Sequence, residues 1–153
     1  MVKILRKIGL DIGTKTIGVA MSDPTNLIAQ AGQTIMRVNS KEDINAVVTL
    51  IIENDVDTVV MGLPKNMNNT IGPMGEKVMT FQNQLKKKIT YSDRLKDKEV
   101  EIVLWDERLT TMAAERVLIE ANVRRENRKK YIDNIAAQHI LQSYLDLQNK
   151  EKR

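Results

Sequence analysis

Asp11 places a carboxylate in a stretch of the chain that otherwise holds apolar residues and glycine. It lies in GLDIG, one position before the end of a predicted strand that leads into a Gly-Thr-Lys-Thr turn. A carboxylate in an apolar strand is costly unless it is paired, hydrogen-bonded or bound to a metal. An aspartate that closes the turn is the simpler alternative. The nearby glycines leave room for a phosphate backbone to approach Thr14 and Lys15.

A second pair of acids follows the last predicted strand. Asp106 and Glu107 come directly after EVEIVLW, at the carboxyl end of that strand, where α/β sheets favour binding sites. Adjacent residues at a strand end point in opposite directions, so we expect at most one of these acids to face the site. The alternative is that both are solvated loop acids, followed by a threonine that caps the next helix.

Asp133 is a third acid, near the start of the last predicted helix. Its neighbours at helical spacing are Ala136, Ala137, Ile140 and Tyr144, so it lies along a face that should pack against the sheet. An acid in the first turn also stabilises a helix by about 0.3–1 kcal/mol through the helix dipole. Dipole stabilisation does not require the packed face, and this position therefore favours a functional role.

Carboxylates from the first strand, the end of the fifth strand and the last helix could converge on one or two divalent ions. Mg²⁺ and Mn²⁺ favour such all-oxygen ligation. In phosphodiester hydrolysis, two ions roughly 3.5–4 Å apart activate water and stabilise the leaving oxygen. The chain has no cysteine and one histidine, His139, which excludes disulfide frameworks, thiolate zinc sites and two-histidine metal sites. We expect His139 to lie on a helix surface.

The whole chain has a formal net charge of +4 at pH 7, and its basic residues are concentrated in the second half. Residues 1–76 carry seven Lys/Arg against eight Asp/Glu, and residues 77–153 carry seventeen against twelve. The run 123–130 (VRRENRKK) would suit a polyanion or would form a solvated loop, and Lys86, Lys87 and Lys88 favour a solvated helix end. With no signal-peptide core and no apolar run of roughly 18 residues, we expect a cytoplasmic protein without a membrane partner.

The hydrophobic pattern predicts one α/β domain in the order β-β-β-α-β-α-β-α-α, which matches a length of 153 residues. Three antiparallel strands followed by βαβ crossovers indicate a mixed five-stranded sheet with helices on both faces, over residues 1–148 with a charged tail at 149–153. Ser40 is expected to cap the first helix, with Asp43 completing a capping box. The predicted strands are Lys3–Ile12, Ile17–Ser22, Ile28–Val38, Asp57–Leu63 and Glu99–Trp105. The predicted helices are Lys41–Asn54, a second helix that follows the loop Pro64–Pro73 and runs to about Lys88, Thr111–Ala121 and Lys130–Gln148.

Four segments, in order over nearly the whole chain, resemble the motifs of the YqgF family of pre-16S rRNA nucleases, also described as Holliday junction resolvases. The segments are GLDIGTKTIGVA, VVMGLPKNMNNTIGP, DERLTT and YIDNIAAQHILQSYL. The first is shared by other protein classes, but the four together are highly specific. The resemblance implies an RNase H-like fold related to RuvC resolvases.

The resemblance also implies which residues act. Asp11, Glu107 and Asp133 match the family's acidic metal-binding triad. The segments 62–64 and 66–70 match its substrate-side loop, and Arg108 matches a position expected to contact phosphate or to orient Glu107. The predicted fourth strand ends without an acid. Glu107 must therefore act from the end of the fifth strand, which lies one strand further from Asp11, an extra spacing of roughly 4.8 Å.

The leading hypothesis is a Mg²⁺- or Mn²⁺-dependent endonuclease of structured nucleic acid. The resemblance favours 5′-end processing of precursor 16S rRNA, with resolution of branched DNA junctions as the alternative. Lys15, Lys65 and Arg108 would hold phosphates, and Thr14 and Asn66 would also contact the substrate. A homodimer would fit a reaction with two cuts.

Two other classes remain open from the residues. Asp-x-Gly-Thr also opens the ATP-binding hairpin of actin-like and sugar-kinase-like phosphotransferases, but those proteins need two such domains around a cleft. A nucleic-acid-binding module that keeps the fold without catalysis would bind the substrate and leave it uncut.

Overall fold

The described chain is organised around one twisted sheet of five strands. The computed structural model describes residues 4–110 and 128–151, with side chains in the second range from Ile135 onward. The strands are β1 (Arg6–Ile12), β2 (Thr16–Ser22), β3 (Ala29–Met36), β4 (Val56–Leu63) and β5 (Glu101–Asp106). They lie in the order β3-β2-β1-β4-β5, with antiparallel β1–β2 and β2–β3 pairs and parallel β1–β4 and β4–β5 pairs. The predicted mixed sheet and its opening hairpin are confirmed.

Helices connect and cover the strands. They are α1 (Ser40–Glu53), α2 (Pro73–Tyr91), a 3₁₀ turn at Glu107–Leu109, and α3 (Arg128–Glu151). The predicted helix at Thr111–Ala121 lies outside the described residues. The last helix continues to Glu151, into the segment expected as a charged tail. In the part of the chain that the structure describes, none of the helices is long and apolar enough to cross a membrane.

The start of α1 differs from the prediction, because Asn39 caps the helix and Ser40 is its first residue. The Asn39 side chain accepts a hydrogen bond from the Glu42 N–H at 2.9 Å. Asp43 therefore does not complete a capping box, and its carboxylate pairs instead with Arg37 at 2.9 Å. Asparagine caps helices as well as serine does, so the identity of residue 40 alone did not determine where the helix begins.

The two faces of the sheet differ in the size of their side chains. Ile8, Leu10 and Met61 pack with α1 and α2 on one face, and each is fully buried. Successive strand residues point to opposite faces, so Gly9 and Asp11 of β1 face α3. A Cβ on Gly9 would lie 2.8 Å from the Ala137 carbonyl oxygen, which shows how closely α3 approaches the sheet.

Contacts along α3 fix its direction over the sheet. Ala137 lies over Gly9, in the middle of β1. Asn149, near the end of the helix, donates to the Asn26 carbonyl at 3.2 Å, and Asn26 donates to the Leu5 carbonyl just before β1. The helix therefore runs antiparallel to β1, and its N-terminal turns point toward the end of β1 that carries Asp11.

Candidate metal and nucleic-acid site

Asp11 lies near the carboxyl end of β1 with 7% of its surface exposed. The register pairs it with Gly18 of β2, and on the other side Leu10 pairs with Met61 of β4, which places Gly62 beside Asp11. Neighbouring strands thus contribute no side chain next to this carboxylate on the face covered by α3. The glycines at positions 18 and 62 leave space on either side of Asp11 on this face.

Glu107 occupies part of that space. It is the first residue of the 3₁₀ turn after β5, and its side chain crosses over Gly62 of β4. A Cβ on Gly62 would lie 2.8 Å from the Glu107 Oε1 atom and 3.2 Å from its Cγ atom. The Glu107 carboxylate therefore lies over β4 and not over β5. β4 is the strand next to β1, which carries Asp11, and adjacent strands are about 4.8 Å apart.

Gly62 therefore has a part in the site that the sequence did not predict, since the family resemblance matches it only to a substrate-side loop. It compensates for the extra strand spacing that Glu107 has to span. A signal was present in the sequence, because Gly62 is a glycine in an otherwise apolar strand, VVMGL, between two strands that carry acids.

Asp106 is engaged separately from Glu107, as strand alternation predicts. Its carboxylate forms an ion pair with Arg108 at 2.7 Å and accepts a hydrogen bond from the Arg108 backbone N–H. The hydrogen bond from the Arg108 side chain is the main reason why the pKa of Asp106 lies below its ordinary value, and the same contact raises the pKa of the Arg108 guanidinium. Asp106 thus holds Arg108 in place.

Arg108 also binds the loop that follows β4. Its guanidinium donates to the Asn66 carbonyl oxygen at 3.2 Å and to the Asn69 Oδ1 atom at 2.6 Å. Asn69 has a left-handed backbone with φ of 70°, and the Asn66 side chain donates to Thr70 across the loop. Arg108 therefore links the end of β5 to this loop, whereas the sequence predicted only that it would contact phosphate or orient Glu107.

The other predicted substrate residues lie at the same end of the sheet. Thr14 and Lys15 are exposed in the turn between β1 and β2, directly after the strand that carries Asp11. Lys65 is half-buried, and its charge contributes to the lowered pKa of Asp106. These residues therefore lie in the loops that follow β1 and β4, at the end of the sheet that carries Asp11 and Glu107.

Asp133 belongs to the described helix α3, but its side chain lies outside the described residues, as do the side chains of the basic run 123–130. The next residues on its helical stripe, Ala136 and Ala137, are fully buried against the sheet. His139 is partly exposed on the same helix. Among residues 4–110 and 135–151, no three acidic or histidine side chains come close enough together to form a metal site.

Solved structures with a similar fold include Holliday junction resolvases. *Thermus thermophilus* RuvC in complex with a Holliday junction superposes with a TM-score of 0.60 at 9% identity, covering 94% of this chain and 96% of that chain. The yeast mitochondrial Holliday junction resolvase gives a TM-score of 0.58 at 10% identity, covering 99% of this chain and 82% of that chain. At these identities the likeness shows the fold alone, and the predicted RNase H-like fold is confirmed.

Relatives with much higher identity carry the name "Putative pre-16S rRNA nuclease". One from *Clostridium tetani* is 50% identical over 142 residues, 93% of this chain and 96% of that protein. One from *Thermoanaerobacter pseudethanolicus* is 48% identical over 148 residues, 96% of this chain and 100% of that protein. Residues 5–147 match the family described as RuvX, Holliday junction resolvase. The chain therefore belongs to the RuvX family of nucleases, which hydrolyse phosphodiester bonds and to which its YqgF-type motifs had pointed.

Proposed function

We propose that this chain is a metal-dependent endonuclease that cuts structured nucleic acid, and that its reaction is 5′-end processing of precursor 16S rRNA. The observation that carries the proposal is the position of Glu107, whose carboxylate lies over Gly62 in the strand next to the buried Asp11. Two acids that are far apart in the sequence are thus brought together at the end of the sheet where the exposed Lys15 also lies.

The path of α3 supports Asp133 as the third acid. Asp133 precedes Ala137 by one helical turn, about 6 Å along the axis. Asp11 follows Gly9 by two strand residues, about 6.6 Å along β1. Because Ala137 lies over Gly9 and the helix runs antiparallel to the strand, these similar steps support a position of Asp133 near Asp11.

The residues fit a Mg²⁺ or Mn²⁺ ion. Asp11 and Glu107 offer carboxylate oxygens only, which is the donor set that these ions prefer, and Gly18 and Gly62 leave room beside them. We propose that Asp11, Glu107 and Asp133 hold the ion. When bound, such an ion activates water and stabilises the charge that develops on the scissile phosphate.

The neighbouring residues would hold and align the substrate. Lys15 and Lys65 would pair with phosphates on either side of the cut, and Thr14 and Asn66 would offer hydrogen bonds to the backbone. Arg108 keeps the loop at 66–69 in place through Asn66 and Asn69, so the loop and Glu107 are held by one segment. The basic excess of residues 77–153 would favour association with a polyanion.

An assay with two substrates tests the function and its alternative. The protein with Mn²⁺ is expected to cut a precursor 16S rRNA fragment near the mature 5′ end, and Asp11→Asn or Asp133→Asn should abolish cutting. The alternative, resolution of Holliday junctions, is favoured by the family description and predicts paired cuts in a four-way DNA junction. A homodimer would supply two sites for such cuts, and the mass of the protein bound to the junction tests that state. Binding without cutting of either substrate would contradict the nuclease and favour a binding module.

A further inference from the structure

A continuous groove runs along α2 on the sheet face opposite to Asp11. Its inner part is a cleft of about 640 Å³ that begins at Thr14 in the turn after β1. Its outer part, about 520 Å³, ends at Tyr91, the last residue of α2. The two parts share Ser40 and Gln84 as lining residues, so they adjoin each other beside α2. From Pro73 to Tyr91 the helix extends for about 27 Å at 1.5 Å per residue.

The outer part of the groove is basic. Lys41, Lys87 and Lys88 line it, and no acidic side chain does. All three lysines are exposed, and Tyr91 at its end is 83% exposed. Lysines that follow a groove bind phosphates, and an exposed aromatic ring offers a surface on which a base can stack.

The inner cleft is different, because its two basic and two acidic side chains balance. Arg37 is held there by the Asp43 carboxylate at 2.9 Å and by the Gly13 carbonyl oxygen at 2.7 Å. Its guanidinium lies 5.7 Å from the centre of the Phe81 ring. A planar guanidinium fixed in this way is a stacking surface for an unpaired base, and a cleft without net charge suits a base better than a phosphate.

We propose that this groove binds a single-stranded extension of the nucleic acid that the carboxylate site cuts, an inference that rests on the proposed function. The inner end of the groove is at Thr14, in the turn three residues after Asp11, so the groove begins at the end of the sheet where the proposed site lies. At 3.4 Å per nucleotide of stacked strand, a groove of about 27 Å takes about eight nucleotides.

The test compares RNA hairpins with and without a single-stranded extension of about eight nucleotides, a length set by the groove. Binding is measured by fluorescence anisotropy of labelled RNA in the presence of EDTA. The wild-type protein should bind the extended hairpin several-fold more tightly. Lys87→Gln with Lys88→Gln should remove most of that gain and reduce the slope of log K against log salt by about 0.7 per lysine. Tyr91→Leu should weaken the extended hairpin without changing the salt slope.

Lys86→Gln is the matched control, because Lys86 is adjacent in the helix but lines a different cleft. Lys86→Gln should retain the gain in affinity for the extended hairpin. If it lost as much affinity as the Lys87→Gln, Lys88→Gln variant, the binding would reflect general electrostatic attraction to the helix, and the proposed groove would be wrong. A wild-type protein that cuts the plain hairpin with Mn²⁺ but binds both hairpins equally would also overturn the groove and leave the proposed function standing. A wild-type protein that cuts neither the hairpins nor the precursor 16S rRNA fragment with Mn²⁺ would overturn the proposed function, and the inference that rests on it. DNA versions of the probes show whether the groove takes RNA alone or single strands of either kind.

Discussion

Gly62 is important to this site because it has no side chain, and the Glu107 carboxylate occupies the space that a side chain at position 62 would fill. A Cβ at this position would lie 2.8 Å from Glu107 Oε1 and 2.5 Å from Ile140 Cδ1. Gly62→Ala should therefore displace the carboxylate and weaken Mn²⁺ binding by about tenfold, as loss of a group that positions a ligand does. Crowding against Ile140 should also cost about 1–3 kcal/mol of stability. Calorimetric titration with Mn²⁺ and thermal unfolding measure the two effects.

A second substitution separates those effects. Ile140→Val removes the Cδ1 atom, so in combination with Gly62→Ala it should restore much of the stability while Mn²⁺ binding stays weak. If the double variant bound Mn²⁺ as tightly as Ile140→Val does, Gly62 would have no part in positioning Glu107.

The pair Asp106–Arg108 predicts a pH dependence at the same scale. Because the hydrogen bond from Arg108 lowers the pKa of Asp106 in the folded state, the pair adds stability above the ordinary aspartate pKa, and that stability is lost as the pH falls through the lowered pKa. Arg108→Gln should raise the pKa of the Asp106 carboxyl, measured by carbon NMR during an acid titration. An unchanged titration would mean that Arg108 does not hold this carboxylate in solution.

At the scale of the elements, local pattern was enough to predict strands and helices but not their contacts. Alternation along IGLDI predicted a strand with Asp11 near its end. Asn39 caps α1, and the sequence pointed to Ser40 because these two adjacent residues can both cap a helix. Local pattern did not predict that the Glu107 side chain crosses over Gly62, although the glycine in VVMGL was a signal for it. The contact of Arg108 with Asn69 could not be predicted, since it depends on a loop almost forty residues earlier.

Gly9 allows α3 to pack closely on the sheet, because it has no side chain between β1 and the helix. A Cβ at this position would meet the Ala137 carbonyl oxygen and the Leu141 Cβ atom, each at 2.8 Å, and neither can rotate away. Gly9→Ala should cost about 1–3 kcal/mol of stability through overpacking. It should also increase amide hydrogen exchange in α3 more than in α1. A variant as stable as the wild type, with unchanged exchange, would contradict the close packing of α3 on β1.

At the scale of the whole molecule, one end of the sheet gathers the groups that the proposed chemistry needs. The turn with Lys15, the carboxylates of Asp11 and Glu107, and the loop held by Arg108 come together where β1 and β4 end. Local pattern singled out Asp11, Asp133 and the pair Asp106 and Glu107 as candidate oxygen ligands, and the resemblance to a family then selected Glu107 from that pair. RNA and DNA share the phosphodiester group on which the carboxylates would act, so the positions of the acids do not predict which of the two is the substrate.

The central claim is that Asp11, Glu107 and Asp133 together bind the divalent ion required for cleavage. Its most direct test is a Mn²⁺ titration of Asp11→Asn, Glu107→Gln and Asp133→Asn, with cleavage of the precursor RNA followed in parallel. Glu101→Gln is the control, because Glu101 is an exposed acid at the opposite end of β5 from Glu107. Each triad variant is predicted to lose both Mn²⁺ binding and cleavage while the control retains both, and full binding and cleavage by Asp11→Asn and Asp133→Asn would contradict the claim.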